Sequence, residues 1–166
     1  MAPLHRKRNA VRVVWRWTED TPDAVSRART ALECALDQLG FGGEVREDAV
    51  LAVSELVANA LEHAPGPYEM RLRRVTAGMV CEVVDRDPRI PRVPAMSARM
   101  PFDPVPELRG GGLDALLEVM SERGRGLHIV HQLTHGRWGF MACTREEMKV
   151  AWMLILSGDV HGHGRA

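Results

Sequence analysis

Apolar and polar residues alternate over Val11–Trp17, which predicts a first strand with Val11, Val13 and Trp15 on one face. A helix is expected to follow, with Thr21 as its N-cap. Apolar residues then recur every three or four positions, the spacing of a helix with one buried face. They are Val25, Ala28, Leu32, Ala35, Leu36 and Leu39.

The same spacing predicts a second helix from about Glu44 to His63, which the prolines at 65 and 67 end. Two strands, Tyr68–Val75 and Met79–Val84, are predicted next. A turn near Gly78 joins them, so the pair is expected to form a hairpin.

A long irregular segment is predicted over residues 88–122. Six prolines fall between Pro88 and Pro106, and three consecutive glycines begin at Gly110. So many prolines exclude regular structure from much of the segment, and long loops in compact domains are usually functional lids or disordered. A helix over Leu127–Leu133 is expected after this segment, followed by strands Trp138–Cys143 and Met148–Leu156.

The element order β-α-α-β-β-lid-α-β-β predicts an α+β fold. We expect a two-layer α/β sandwich, with a mixed, mostly antiparallel sheet carrying its helices on one face. Residues 11–156 are expected to form the domain, with a lid at about 88–122. Residues 1–10 and 157–166 are expected to be flexible ends.

Charge and cysteine content limit the function classes. Basic and acidic side chains number 22 each, so net charge gives no reason to expect a nucleic acid or a membrane as partner. The three cysteines, Cys34, Cys81 and Cys143, have no metal-ligand spacing and fit free thiols in a reducing compartment. No leader-like or membrane-spanning apolar run is recognised, so a cytoplasmic location is expected.

The second helix carries the first group of residues with chemical potential. Glu55, Asn59 and either Glu62 or His63 lie three or four residues apart and therefore share a helical face. A carboxylate and a carboxamide oxygen one turn apart suit Mg²⁺, and the carboxylate could also accept a proton from a nucleophile. The alternative interpretation is an ordinary solvated polar face.

Two further signals are weaker when each is taken alone. Asp85 ends an apolar strand, where a carboxylate can accept a hydrogen bond from the exocyclic amine of adenine or simply form a turn. Gly124, Arg125, Gly126 and Leu127 are expected to open a helix, where backbone N–H groups can receive phosphate. The alternative for the glycines is a tight turn into a packed helix.

The order of these three signals on helix, strand end and glycine loop resembles the GHKL (histidine-kinase-like) ATPase superfamily. The segments Ser54–His63 and Gly124–Val130 are especially similar to the small anti-sigma-factor serine kinases. The resemblance covers roughly residues 11–156.

The resemblance implies ATP and Mg²⁺ as cofactors and assigns a role to each motif. Asn59 would hold Mg²⁺, and Glu55 would be the general base toward a protein serine. Asp85 would read adenine. His63 and the residues from Gly124 to Leu127 would complete the nucleotide site.

The chain also departs from the pattern of the superfamily. Asp87 and Arg89 stand where the wider superfamily has glycines after its adenine-reading aspartate. Val150 is assigned to the late-strand position near the adenine where the family often has threonine. The lid segment is also longer and richer in proline than the family leads us to expect.

Two functions from different classes follow from the resemblance. The first is an anti-sigma factor with serine kinase activity toward an anti-anti-sigma (STAS) partner. The second is a degenerate ATP-binding switch protein that holds a STAS or sigma partner without phosphorylating it. A nucleotide hydrolase outside signalling is a third, less favoured reading. The family resemblance also suggests a homodimer.

Overall fold

The structure, a computed structural model, describes residues 10–91 and 122–157. Strand β1 (Val11–Trp17) is followed by helices α1 (Ala24–Gln38) and α2 (Gly43–His63). Strands β2 (Tyr68–Val75) and β3 (Gly78–Asp85) come next. Helix α3 (Glu122–Leu133) and strands β4 (Trp138–Cys143) and β5 (Met148–Leu156) complete the described chain.

The five strands form one sheet in the order β1-β2-β3-β5-β4, and all four neighbouring pairs are antiparallel. The predicted α+β architecture is confirmed, as are the bounds of β1, β2, β4 and β5. The β2–β3 hairpin is present as well, and β3 extends one residue beyond its predicted range at each end.

Helix α2 is the centre of the helical layer. It contacts α1 on one side, α3 on the other, and strands β3 and β5 beneath it. This position explains why α2 buries more than a single stripe. Its buried residues are Ala49, Val50, Ala52, Val53, Ser54, Leu56, Val57 and Ala60. Within this core Ser54 donates its hydroxyl to the Val50 carbonyl at 2.8 Å, which satisfies the buried polar group.

The first strand shows where strict alternation fails. A register irregularity between Val13 and Trp15 shifts β1 against β2. Val13 then pairs with Arg71, whereas Trp15 pairs with Met70 and packs against the core. The prediction that Val11, Val13 and Trp15 share a face is therefore wrong. A bulge inserts one residue and sends the following side chains to the opposite face.

The start of α1 also differs from its prediction. The N-cap is Asp23 in the left-handed conformation, with φ at 53°, and its carbonyl accepts the Arg27 N–H at 2.9 Å. Thr21 is not the cap, because its Oγ1 accepts the Thr18 N–H at 3.1 Å. That local turn delays the first helical turn to Ala24.

Helix α3 begins earlier than predicted. It starts at Glu122, so Gly124 and Gly126 lie inside its first turns rather than in a loop before it. A glycine within a helix costs about 1 kcal/mol relative to alanine, an amount that tertiary packing readily offsets. The motif therefore marks the beginning of a helix, as expected, but its glycines are helical residues.

Several predictions fall outside the described residues. They concern the N-terminal residues before position 10, most of the lid at 88–122, and the tail after position 157, and they stay predictions. Within the two described ranges, no helix combines the length and apolarity needed to cross a bilayer.

Gly78 provides a test of the pairing between β3 and β5. Its φ is 150°, and an added Cβ would lie 2.1 Å from the Ile155 carbonyl oxygen. We expect Gly78→Ala to lower the free energy of unfolding by at least about 2 kcal/mol, because backbone cannot yield as a side chain can. Gly42→Ala meets no atom within 4 Å and is the control, with a loss of about 1 kcal/mol or less. Urea denaturation measures both, and equal losses would contradict the assigned contact.

Candidate nucleotide site

Glu55 and Asn59 lie one turn apart on α2, and both side chains are half-buried. Within the described ranges, the structure records no hydrogen bond or ion pair for either side chain. A half-buried carboxylate and carboxamide with no partner among these residues retain their oxygens for a ligand. The expected juxtaposition of a hard-oxygen pair on one helical face is therefore present.

The Glu55 side chain reaches across to α3. A Cβ added at Gly126 would lie 2.7 Å from Glu55 Oε2. Only glycine therefore lets the carboxylate keep this position against the first turns of α3. Two motifs separated by some seventy residues in the sequence meet here, next to the helix N-terminal N–H groups that favour anions.

The remaining residues of the glycine motif divide into two kinds. Arg125 is exposed, and Leu127 is buried in the hydrophobic core. The side chain of Leu127 packs against other apolar residues, so only its backbone could contribute to binding. Gly124 lies in the same helix, and its assigned role in binding stays a prediction.

His63 is the last residue of α2. Its side chain is 38% exposed, and its Nε2 lies 3.7 Å from Glu62 Oε2. This placement at the helix end, before the turn into β2, leaves the ring accessible. Its assigned part in the nucleotide site stays a prediction.

Asp85 is enclosed at the end of β3 and already has two partners. Its Oδ1 accepts the Asp87 N–H at 3.0 Å, and its Oδ2 lies 3.1 Å from Lys149 Nζ. The side chains of Asp85 and Lys149 are only 2% and 5% exposed. Burial raises the pKa of the Asp85 carboxyl, although the Asp87 N–H and the Lys149 ammonium both favour its charged form.

The structure corrects the assignment made for the residue beside Asp85. Val150 pairs with Val84, so it lies on the other face of the sheet from Asp85. Lys149 is the cross-strand partner of Asp85. Sequence reasoning missed Lys149, although a lone lysine leading into an apolar strand was a usable signal.

Asp87 forms a second charged contact beside this pair. Its carboxylate accepts the backbone N–H of Arg89 at 3.0 Å and the guanidinium Nη2 at 2.8 Å. The Arg89 guanidinium hydrogen bond is the main cause that lowers the pKa of Asp87 to about 2. The two residues that replace the expected glycines therefore form an ion pair with each other.

An α+β domain with a half-buried carboxylate against a glycine-bearing helix, and a half-buried carboxamide one turn further along, defines a candidate nucleotide-binding protein. The model of the histidine kinase-like ATPase domain matches residues 18–136, more than half of the chain. The chain therefore belongs to the histidine kinase-like ATPase domain family. A comparison with curated proteins found no match.

Membership in this family implies ATP binding, typically with Mg²⁺. The phosphate end of the site fits these groups, because Asn59 offers an oxygen ligand and α3 offers N-terminal N–H groups. The other end of the site, at Asp85, is where the adenine base is expected, and its fit to the base is less direct. Asp85 has the expected chemistry, but the Lys149 ammonium already engages it.

The pKa values of the two aspartates near Lys149 are shifted in opposite directions from the ordinary value. A depressed pKa at Asp87 stabilises the fold above the unfolded value near 3.8, and that contribution is lost as pH falls toward 2. The raised pKa of Asp85 has the opposite effect on the pH dependence of stability, because the folded state then takes up a proton more readily than the unfolded state does. We expect carboxyl ¹³C titration to show Asp87 as the more acidic of the two.

Arg89→Gln is the matched variant, because it removes the guanidinium while keeping a polar side chain. It should move the pKa of Asp87 upward toward 3.8. An unchanged Asp87 titration in this variant would contradict the assigned cause.

Proposed function

We propose that the chain is an ATP-binding regulator of transcription, an anti-sigma factor with serine kinase activity toward an anti-anti-sigma STAS partner. The observation that carries the proposal is the contact between Glu55 of α2 and Gly126 of α3. It brings together the two motifs that most resemble those of the anti-sigma kinases. The family match supports the ATP-binding part, and the sequence resemblance supports the kinase part.

The residues of the site would divide the work of phosphoryl transfer. Asn59 would contribute an oxygen ligand to Mg²⁺, and the first turn of α3 would receive phosphate oxygens through its N–H groups. Bound ATP would supply the phosphoryl group, and its Mg²⁺ would offset the negative charge of the phosphates. Glu55, one turn from Asn59, would accept the proton of a serine hydroxyl from the partner.

Asn59→Ala should weaken Mg²⁺-dependent ATP binding by about 1–3 kcal/mol, because it removes an oxygen partner of a charged ligand. Calorimetry with and without Mg²⁺ measures the change. Glu47→Ala is the control, an exposed change about three turns earlier on α2 that should leave affinity unaltered. Absence of ATP binding by the wild type at millimolar concentration would refute the proposed function.

The second candidate function is a switch protein that binds nucleotide and partner without transferring phosphate. The specific observation in its favour is the pair of charged contacts at the base end. Lys149 contacts the aspartate that the superfamily uses to read adenine. Asp87 and Arg89 form an ion pair at the two positions where the superfamily has glycines. The retained carboxylate of Glu55, for which no partner is recorded among the described residues, favours the kinase instead.

Phosphate transfer by the wild type should decide between these two functions, and Glu55→Gln should test the assigned base. The amide keeps the size of the side chain beside Gly126 but is a far weaker proton acceptor. We therefore expect ATP and partner binding close to wild type and a rate of serine phosphorylation lower by about 10²–10⁴-fold. The measurement is phosphate transfer to a STAS protein that co-purifies with the chain.

Two outcomes of this assay would change the proposal. A wild type that binds ATP and the STAS protein yet transfers no phosphate would establish the switch function. A Glu55→Gln variant with full rate would retain the kinase but remove Glu55 as its base. Glu47→Gln, an exposed carboxylate about two turns earlier on the same helix, is the control and should keep the wild-type rate.

A further inference from the structure

The Asp85–Lys149 contact is the most enclosed ion pair recorded for the described residues. Its side chains are 2% and 5% exposed, whereas the surface pair Arg16–Glu69 has an arginine that is 69% exposed. Lys149 lies on the helix-facing side of β5, the side that also carries Ala151 and Met153 of the core. A lysine in that position is tolerated only with a partner that balances its charge.

Both oxygens of Asp85 are engaged before any ligand arrives. Oδ1 accepts the Asp87 N–H, and Oδ2 faces the Lys149 ammonium. A charged donor makes a stronger hydrogen bond to a carboxylate than the neutral exocyclic amine of a base does. Separating a buried ion pair also leaves each charge uncompensated, which strongly opposes its exchange for a neutral donor.

We propose that Lys149 masks the base-reading carboxylate, so that the chain binds purine nucleoside triphosphates through their phosphates with little selection of the base. The inference rests on the proposed nucleotide-binding function. Lys149 is thereby a residue that determines specificity: it takes the position beside Asp85 that the 6-amino group of adenine would otherwise occupy. Asn59 and the first turn of α3 lie outside this contact and retain their part in binding Mg²⁺ and phosphate.

The first test uses the wild type alone. Calorimetry compares Mg·ATP with purine riboside triphosphate, which lacks the 6-amino group, and with Mg·GTP. We expect the three affinities to agree within about threefold, because a masked carboxylate gains nothing from the amine. A preference for ATP of about tenfold or more over the amine-free analogue would show that Asp85 reads the base, and would overturn the inference.

The second test unmasks the carboxylate. Lys149→Thr shortens the side chain and keeps a hydroxyl that can donate to Asp85. We expect ATP to bind about tenfold more tightly than in the wild type and to be preferred about tenfold over the amine-free analogue. Arg145→Met, in the exposed turn between β4 and β5, removes one positive charge and should change neither value.

The outcomes that overturn the inference differ from the outcome that refutes the proposed function. A folded Lys149→Thr variant without gained preference for ATP overturns the inference, as does one with weaker ATP binding. Circular dichroism establishes whether the variant folds, and if it does not, the wild-type comparison decides alone. A wild type that binds no triphosphate at all refutes the proposed function itself, which is a different result from unequal binding.

Discussion

The antiparallel register between β3 and β5 is the constraint on which the rest of the structure depends. It joins segments far apart in the sequence and runs from Gly78 opposite Leu156 to Asp85 opposite Lys149. One end needs a glycine, since the Ile155 carbonyl leaves no room for a Cβ. The other end places two opposite charges side by side. A shift by one residue would exchange the faces of β5 and separate that pair.

The helical layer depends on a second close approach, between α2 and α3. At Gly126 an added Cβ would lie 2.7 Å from Glu55 Oε2, the end of a flexible side chain, but 3.7 Å from the Glu55 Cβ, which is an ordinary contact. The glycine therefore fixes where the Glu55 carboxylate lies, since a side chain at this position would displace that carboxylate. Its two interpretations, tight packing and ligand access, are compatible here, because the same missing Cβ allows Glu55 and the first turns of α3 to lie together.

Periodic patterns predicted the helices and strands well, because most of these elements bury one face and the spacing records it. The errors concern features without a periodic signature. The bulge before Trp15 reverses a face, the left-handed Asp23 delays a helix, and α3 begins before its glycines. The pairing of Asp85 with Lys149 depends on register between distant strands, which sequence alone does not specify.

The two ends of the candidate site consequently differ in what they demand of a ligand. Glu55 and Asn59 have no recorded partner in the described ranges, so a bound metal ion could gain oxygen ligands there without breaking a recorded contact. Asp85 needs no ligand, because Lys149 supplies its counter-charge within the fold. The fold therefore compensates the charge of Asp85 without a nucleotide. Any stabilisation by nucleotide should originate at the phosphate end, where the helical motifs meet.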